Sequence, residues 1–315
     1  MNRESDSCIE IITKMLMEQM TPDGIWEGEL SSSALSTALA ISALAYNKNT
    51  NDLPLVKGGA EWLQQNINQD GGYGDTTDSE SNISTSIIVW CAMNIIRRIG
   101  IASPEEAKLE SYLKLTLTTL EPDKISKRIL KHYGKDKTFS VPILALCALS
   151  GRLGDEPECW RYVPQLPFEF SLLPHSFFAF LKLPVVSYAL PALISMGILK
   201  HRKKPVFCPC RRAIRKFAEP RAIRKLRMIQ PPHGGFLEAV PLTSFVALSL
   251  SAAGYDDLDA VRRSLTFIRA SARENCSWPI DTNLSTWLTT LSVKAMPDYA
   301  LSANEKIRIK NWLLG

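Results

Sequence analysis

Residues 267–281 read FIRASARENCSWPID: an apolar helix-like stretch ends in a polar turn, and a single aromatic, Trp278, follows it. A short polar link then leads into NLSTWLTTLSVKAM at 283–296. The same succession occurs in LMEQMTPDGIWEGEL (16–30), WLQQNINQDGGYGDT (62–76) and MIQPPHGGFLEA (228–239), with Trp26, Tyr73 and Phe236 as the aromatics. Glycines such as Gly71 and Gly72 supply the positive φ with which a helix commonly ends. The aromatic folds back over the turn and ties two helices together. Each unit is a helix hairpin that cannot bury its apolar face alone, so successive units stack or close into a ring. The pattern predicts an all-α fold, an α/α toroid of paired helices, with a plain helical solenoid as the alternative.

The rest of the sequence reads the same way. SALSTALAISALAY (33–46), SNISTSIIVWCAMNIIRRIG (81–100), TFSVPILALCALSG (138–151) and PLTSFVALSLSAAGY (241–255) carry apolar residues at helical spacing. Ser, Thr, Asn or Pro introduces each one, as helix starts require. Strict alternation over four or more residues is nearly absent, which argues against a substantial sheet. A chain of 315 residues, 45% hydrophobic and 22% charged, has the composition of a globular protein with a large core. It is read as one domain over 1–315. The polar start MNRESDSCIE carries no apolar signal segment. The seven cysteines are odd in number and scattered, with Cys91 and Cys147 in apolar runs. That is the pattern of reduced thiols and a cytoplasmic location.

Charge is concentrated in one place. Residues 200–227 hold twelve Lys/Arg and one acid, Glu219, a net of +11 in a chain whose total is +5. Such a block favours anionic partners, and Arg211, Arg212, Arg215 and Lys216 are the expected contacts to an anionic membrane surface. A solvated basic helix pair is the alternative. Nucleic acid is not expected as a partner. Just before the block, FFAFLKLPVVSYALPALISMGIL (177–199) has transmembrane length but is interrupted by Lys182, Pro184 and Pro191. It reads as a core helix pair or as an apolar plateau dipping into one leaflet. Together the two segments would make a peripheral anchor on the inner face of the membrane.

Other constellations are sparse. Cys208 and Cys210 form a C-x-C near His201, with His233 more distant, and a fourth ligand at the usual spacing is missing. Neither a metal nor a cofactor is expected. His175, between LLP and SFF, reads as a packed residue. The aspartates of DDLD (Asp256, Asp257, Asp259) and of DTTDSE (Asp75, Asp78) lie in turns, where Asp starts helices.

The turn-plus-aromatic repeat resembles that of the squalene–hopene cyclase and oxidosqualene cyclase family, the class II triterpene cyclases. CWRYVPQLPFEFSLLPHSFFAF (159–180) is similar to the family's W-x-x-V-P-x-L-P-P-E-x-x-L-L-P segment. VVSYALPALISMGIL (185–199) is similar to the S-W-A-R…P-L-x-I run, and SWPIDTNLSTWLTTLSVKAM (277–296) to the S-P-x-W-D-T-x-L-x-x-x-A-L region. The matches keep the family's order and cover most of residues 10–296. Protein prenyltransferase β-subunits share such repeats. The departures are that Tyr188, Ala189 and Leu190 stand where the family has W-A-R, and Phe168 replaces the second proline of L-P-P-E.

The resemblance implies a role in cyclising a polyprene and an isoprenoid, squalene-like ligand. In that family a D-x-D-D motif protonates the substrate, and this sequence contains none. No catalytic residue is therefore assigned. The expectation is an N-terminal, first-domain equivalent, inactive alone and completed by a second polypeptide that carries the catalytic half. Phe168, Phe170, Trp278, Asp281 and Trp287 are the expected cavity residues, with Asp281 as a helix cap the alternative. A non-catalytic isoprenoid- or protein-binding toroid is the second reading, and a zinc-dependent prenyltransferase-like β-subunit the third.

Overall fold

A computed structural model of the chain describes residues 3–102, 106–134, 136–173 and 190–315. His175 and positions 177–189 of the apolar run lie outside the described residues. The described chain is helical almost throughout, with two strands of two residues each. It forms two compact units, one of residues 31–280 and one of residues 1–30 with 281–315.

The larger unit is a ring. Its inner helices are α2 (Ala34–Asn47), α4 (Ile83–Arg97), α7 (Lys137–Leu149), α8 (Leu190–Lys203) and α10 (Val240–Ala252). Each packs on the next in that order, and α10 returns to pack on α2, so the ring closes. The outer layer is α3 (Leu53–Gln65), α5 (Glu106–Leu117), α6 (Pro122–Tyr133), α9 (Pro209–Ile229) and α11 (Asp259–Ala270). This is the all-α toroid that the repeat predicts.

Composition separates the layers. In α2 every residue from Ala34 to Ala45 except Leu35 is buried, and in α7 the whole stretch from Ser140 to Leu149 is. A helix buried all round needs small side chains where neighbours cross closely and apolar ones elsewhere. The Ser/Ala/Leu mixture of α2 meets both needs. Outer helices bury one stripe only: α11 hides Ala260, Val261, Ser264, Leu265, Phe267 and Ile268, at three- and four-residue spacing.

The four aromatic turns share one geometry. Each aromatic amide donates to a hydroxyl on a helix of its own unit: Tyr73 N–H to Ser86 (2.9 Å), Phe236 N–H to Thr243 (2.9 Å) and Trp278 N–H to Thr37 (3.1 Å) on inner helices of the ring, and Trp26 N–H to Thr289 (3.0 Å) in the smaller unit. The side chain then reaches back ten residues. Trp26 Nε1 donates to Leu16 O (2.7 Å), Tyr73 Oη to Leu63 O (3.0 Å) and Trp278 Nε1 to Ile268 O (2.7 Å). Two residues before each aromatic the backbone is left-handed. Gly24, Gly71 and Gly234 fill that place in three turns, and Cys276, at φ 58°, fills it in the fourth.

Trp26 and Trp278 do not bond to the helix that follows each in the chain. Trp278 serves α2, 241 residues earlier, and Trp26 serves α12 (Ser285–Ala295), 263 residues later. Strands β1 (Ser32–Ser33) and β2 (Trp278–Pro279) pair antiparallel where the larger unit begins and ends, with Ser33 opposite Trp278. Ser32 and Ser277 hydroxyls meet at 2.7 Å beside this pair.

The smaller unit contains α1 (Arg3–Glu18), α12 and α13 (Ala303–Leu314). Trp26 is buried there against Met296, Leu301 and Ile309. Leu30 N–H bonds to Asp281 O (3.1 Å) and Leu284 N–H to Gly28 O (2.8 Å), which holds the two chain segments together. Ser302 and Glu305 cap α13 reciprocally.

The closing contact can be tested directly. Thr37→Val keeps shape but leaves the buried Trp278 amide unpaired, and is expected to cost about 1–3 kcal/mol in urea unfolding. Thr37→Ser, which retains the acceptor, is expected to lose less than Thr37→Val. Equal losses would mean that the hydroxyl contributes nothing.

Candidate functional site

The inner helices end together at one rim of the ring, and basic side chains cap them. Arg98, just past α4, donates to Leu149 O (3.0 Å) and Ser150 O (2.8 Å) at the end of α7. Arg202, in the last turn of α8, donates to Ala253 O (2.7 Å) beyond α10. Cations there satisfy the last carbonyls and oppose the negative end of each helix dipole.

At this rim lies a cleft of about 400 Å³, lined by Ala45, Tyr46, Asn47 and Lys48 after α2, Ile95, Arg98 and Ile99 after α4, and Asp256. Burial, the largest influence, pushes the Tyr46 phenol above its usual range, and charges on Lys203, Glu156, Arg98 and Asp256 also act on it. The arrangement offers a phenol, both signs of charge and two isoleucines, which suits binding rather than bond-making. Sequence reasoning missed this group. The available signal was a basic residue trailing an inner helix, as in NIIRR and HRKK.

The expected cavity residues fall in different surroundings. Phe168 is fully buried, its ring 6.0 Å from that of His201. Phe170, two residues on, is 53% exposed. Trp278 is buried in the larger unit with its indole N–H engaged as described. Asp281 and Trp287 belong to the smaller unit, where Trp287 is 57% exposed. Asp281 is not the cap of α12. That helix starts at Ser285, and the Asn283 side chain accepts its amide at 2.9 Å. Among described carboxyl groups with a resolved shift, Asp281 alone moves upward, and burial is the cause. A raised carboxyl is what a proton donor requires, but no second carboxylate contributes to the shift.

The DDLD aspartates also do not cap. Leu258 holds the N-cap position of α11, and Asp259 sits in its first turn, where its charge favours the helix dipole.

The basic segment splits into two faces on α9. Arg211, Arg212 and Lys216 are exposed, as are Ile214, Phe217 and Arg221, with the Arg221 guanidinium 3.5 Å over the Phe217 ring. Arg215 turns inward instead. It is 5% exposed and forms a two-pronged pair with Glu169 at 3.1–3.2 Å. One turn later the buried Glu219 accepts from Arg202 Nε (2.6 Å) and from Tyr255 Oη (2.7 Å). Burial and this carboxylate push the Tyr255 phenol up to about 12. His201 is buried between these groups, and burial lowers its pKa.

Cys208 and Cys210 are exposed at the start of α9. His233 is engaged elsewhere, accepting from Gly235 N–H (3.1 Å) and lying 2.8 Å from Glu238. Among the described residues no group of three or more His, Cys, Asp or Glu side chains is placed to hold a metal ion. Among them also, no helix is long and apolar enough to cross a membrane.

No curated protein matches the chain. Among solved structures, one described as the crystal structure of a protein from Actinoplanes is similar at 14% identity, over 87% of this chain and 82% of that one, with a TM-score of 0.31. The family model of the squalene-hopene cyclase N-terminal domain matches residues 9–111. Those residues run from α1 through the first aromatic turns into α5. Residues 9–111 are thus similar to the squalene-hopene cyclase N-terminal domain, over about a third of the chain.

Proposed function

We propose that the chain is the toroid-bearing first-domain part of a class II terpene cyclase, acting in polyprene or triterpenoid cyclisation without turnover of its own. The observation that carries this reading is a squalene-hopene cyclase N-terminal match in a sequence that has no D-x-D-D motif. Protonating an alkene needs an acid kept neutral by neighbouring carboxylates in a dry site. Asp281 has the burial without the neighbours. The ligand class is an isoprenoid such as squalene, and the reaction class of the completed enzyme is an isomerisation.

The smaller unit supports a role for a second polypeptide. Its three helices expose Ile9, Ile12 and Met15 on α1, Trp287 and Leu291 on α12, and Ile307 and Leu314 on α13. An apolar groove of about 340 Å³, lined by Val293, Leu301, Ile309, Leu313 and Leu314, lies in the same unit. Apolar side chains gathered this densely mark an interaction surface. The partner in this reading carries the D-x-D-D half.

The exposed face of α9 supports peripheral attachment to the inner face of a membrane. Arg211, Arg212 and Lys216 stand beside Ile214 and Phe217, and Phe207 just before the helix is fully exposed. Apolar insertion combined with attraction to anionic lipid is how stable surface binding arises. Such an anchor would set the protein at the source of a lipid-soluble substrate.

Two measurements test this reading. Incubated with squalene, the purified chain is expected to yield no cyclic product by gas chromatography–mass spectrometry. A ring product from this chain alone overturns the assignment. In sedimentation with vesicles, the chain is expected to bind phosphatidylserine-containing vesicles over pure phosphatidylcholine, and to be released by high salt. Reversing Arg211, Arg212 and Lys216 to Glu should weaken that binding by at least about a hundredfold, at about 1 kcal/mol for each cation lost near the surface and further repulsion from each glutamate. Arg215 is left intact because a glutamate there would face Glu169. Equal partitioning of the two proteins removes the membrane role.

A further inference from the structure

We infer that Cys91 and Cys147 form a disulfide when the protein meets a hydroperoxide, stapling inner helices α4 and α7 of the ring. Both residues are fully buried, on helices that pack directly against each other. Their sulfurs are 3.5 Å apart, with the Cys91 thiol donating to Cys147. A sulfur–sulfur bond is about 2 Å long, so closing the gap needs an approach of roughly 1.5 Å.

The surroundings are not those of cysteines used only as small apolar fillers. The hydroxyl of Ser150 and the guanidinium of Arg152 both act on the pair. Arg152 itself is held in place, stacked 4.0 Å from the Trp90 ring centroid and paired with Glu106. Burial opposes ionisation of Cys91, and its side-chain hydrogen bonding with Cys147 and Ser150 offsets this and lowers the thiol, while the hydrogen bond to Cys91 and burial raise that of Cys147. A sulfenic acid formed on one sulfur meets the other at contact distance as its resolving thiol.

The chemistry balances with the peroxide as oxidant. The Cys91 thiolate attacks one peroxide oxygen, the O–O bond breaks, and a sulfenic acid forms as the leaving oxygen takes a proton. The Cys147 sulfur then attacks the sulfenic sulfur. The new S–S bond forms, the S–O bond breaks, and hydroxide leaves with the Cys147 proton as water. Two electrons pass from the thiols to the peroxide. Burial makes local opening of the α4–α7 seam the slow step. Once made, the link joins positions 56 residues apart and restricts the unfolded chain.

The test uses the full chain with Cys8, Cys208 and Cys210 replaced by Ser, which removes the exposed thiols. The folded protein is treated with hydrogen peroxide, quenched with catalase, alkylated in denaturant and mapped without reduction. The expected result is a peptide linking Cys91 to Cys147, two hydrogens lighter than the reduced pair. It should come with a thermal midpoint raised by several degrees and restored by dithiothreitol. Cys147→Ser in the same background should lose both effects and leave Cys91 as a sulfenic acid trapped by dimedone. The inference is overturned if both cysteines are recovered alkylated after exhaustive oxidation, or if Cys91 passes to a sulfinic acid while Cys147 stays free. The linkage map is read on the protein that retains both residues, so a poorly folding Cys147→Ser does not remove the test.

Discussion

A buried backbone amide that must find an acceptor organises this protein. In all four turns a Ser or Thr hydroxyl receives the aromatic's amide, three times on an inner helix of the ring and once, for Trp26, on a helix of the smaller unit. Leaving such a group unpaired costs more than the hydrogen bond adds when formed. The requirement therefore fixes which helix can stand opposite which turn. In the Trp278–Thr37 pair it also closes the ring, because the two residues come from opposite ends of the larger unit's chain.

The inner layer follows from this constraint. Helices held this close can be buried on all sides only if their side chains are small or apolar, as in α2 and α7. Their carbonyl ends are then gathered at one rim, where the summed helix dipoles need cations. Arg98 and Arg202 supply them by reaching across to the neighbouring helix. The cleft beside Tyr46 is a consequence of that crowding of helix ends and basic side chains.

Much of the fold was legible in the sequence. The apolar stretches placed at 33–46, 138–151 and 241–255 correspond closely to α2, α7 and α10, because inner helices are apolar and begin at a capping side chain, Ser33 or Asp136, or at a first-turn proline, Pro241. The family resemblance was legible in the turns. The crossing of Trp26 and Trp278 was not. Read along the chain, each aromatic opens the helix after it, and only the paired strands at Ser33 and Trp278 reveal that these two serve each other's helices. Likewise, Cys276 occupies a left-handed position that glycine fills in the other three turns, and no composition rule marks it. The basic segment looked uniform because charge alone does not say which side of a helix faces inward. Arg215 and Glu219 point to the core since Glu169, Arg202 and Tyr255 meet them there.

The ring of the larger unit closes at Trp278. Native-state hydrogen exchange of that amide, followed by NMR with denaturant titration, measures it directly. If the Trp278–Thr37 bond closes the ring, the Trp278 amide exchanges only through global unfolding, with the same free energy as the amides of Ala38 to Leu44 in α2. Exchange at the much lower free energy of the neighbouring turn residues, with α2 still protected, would show that the ring stays folded without that closure and would contradict the account.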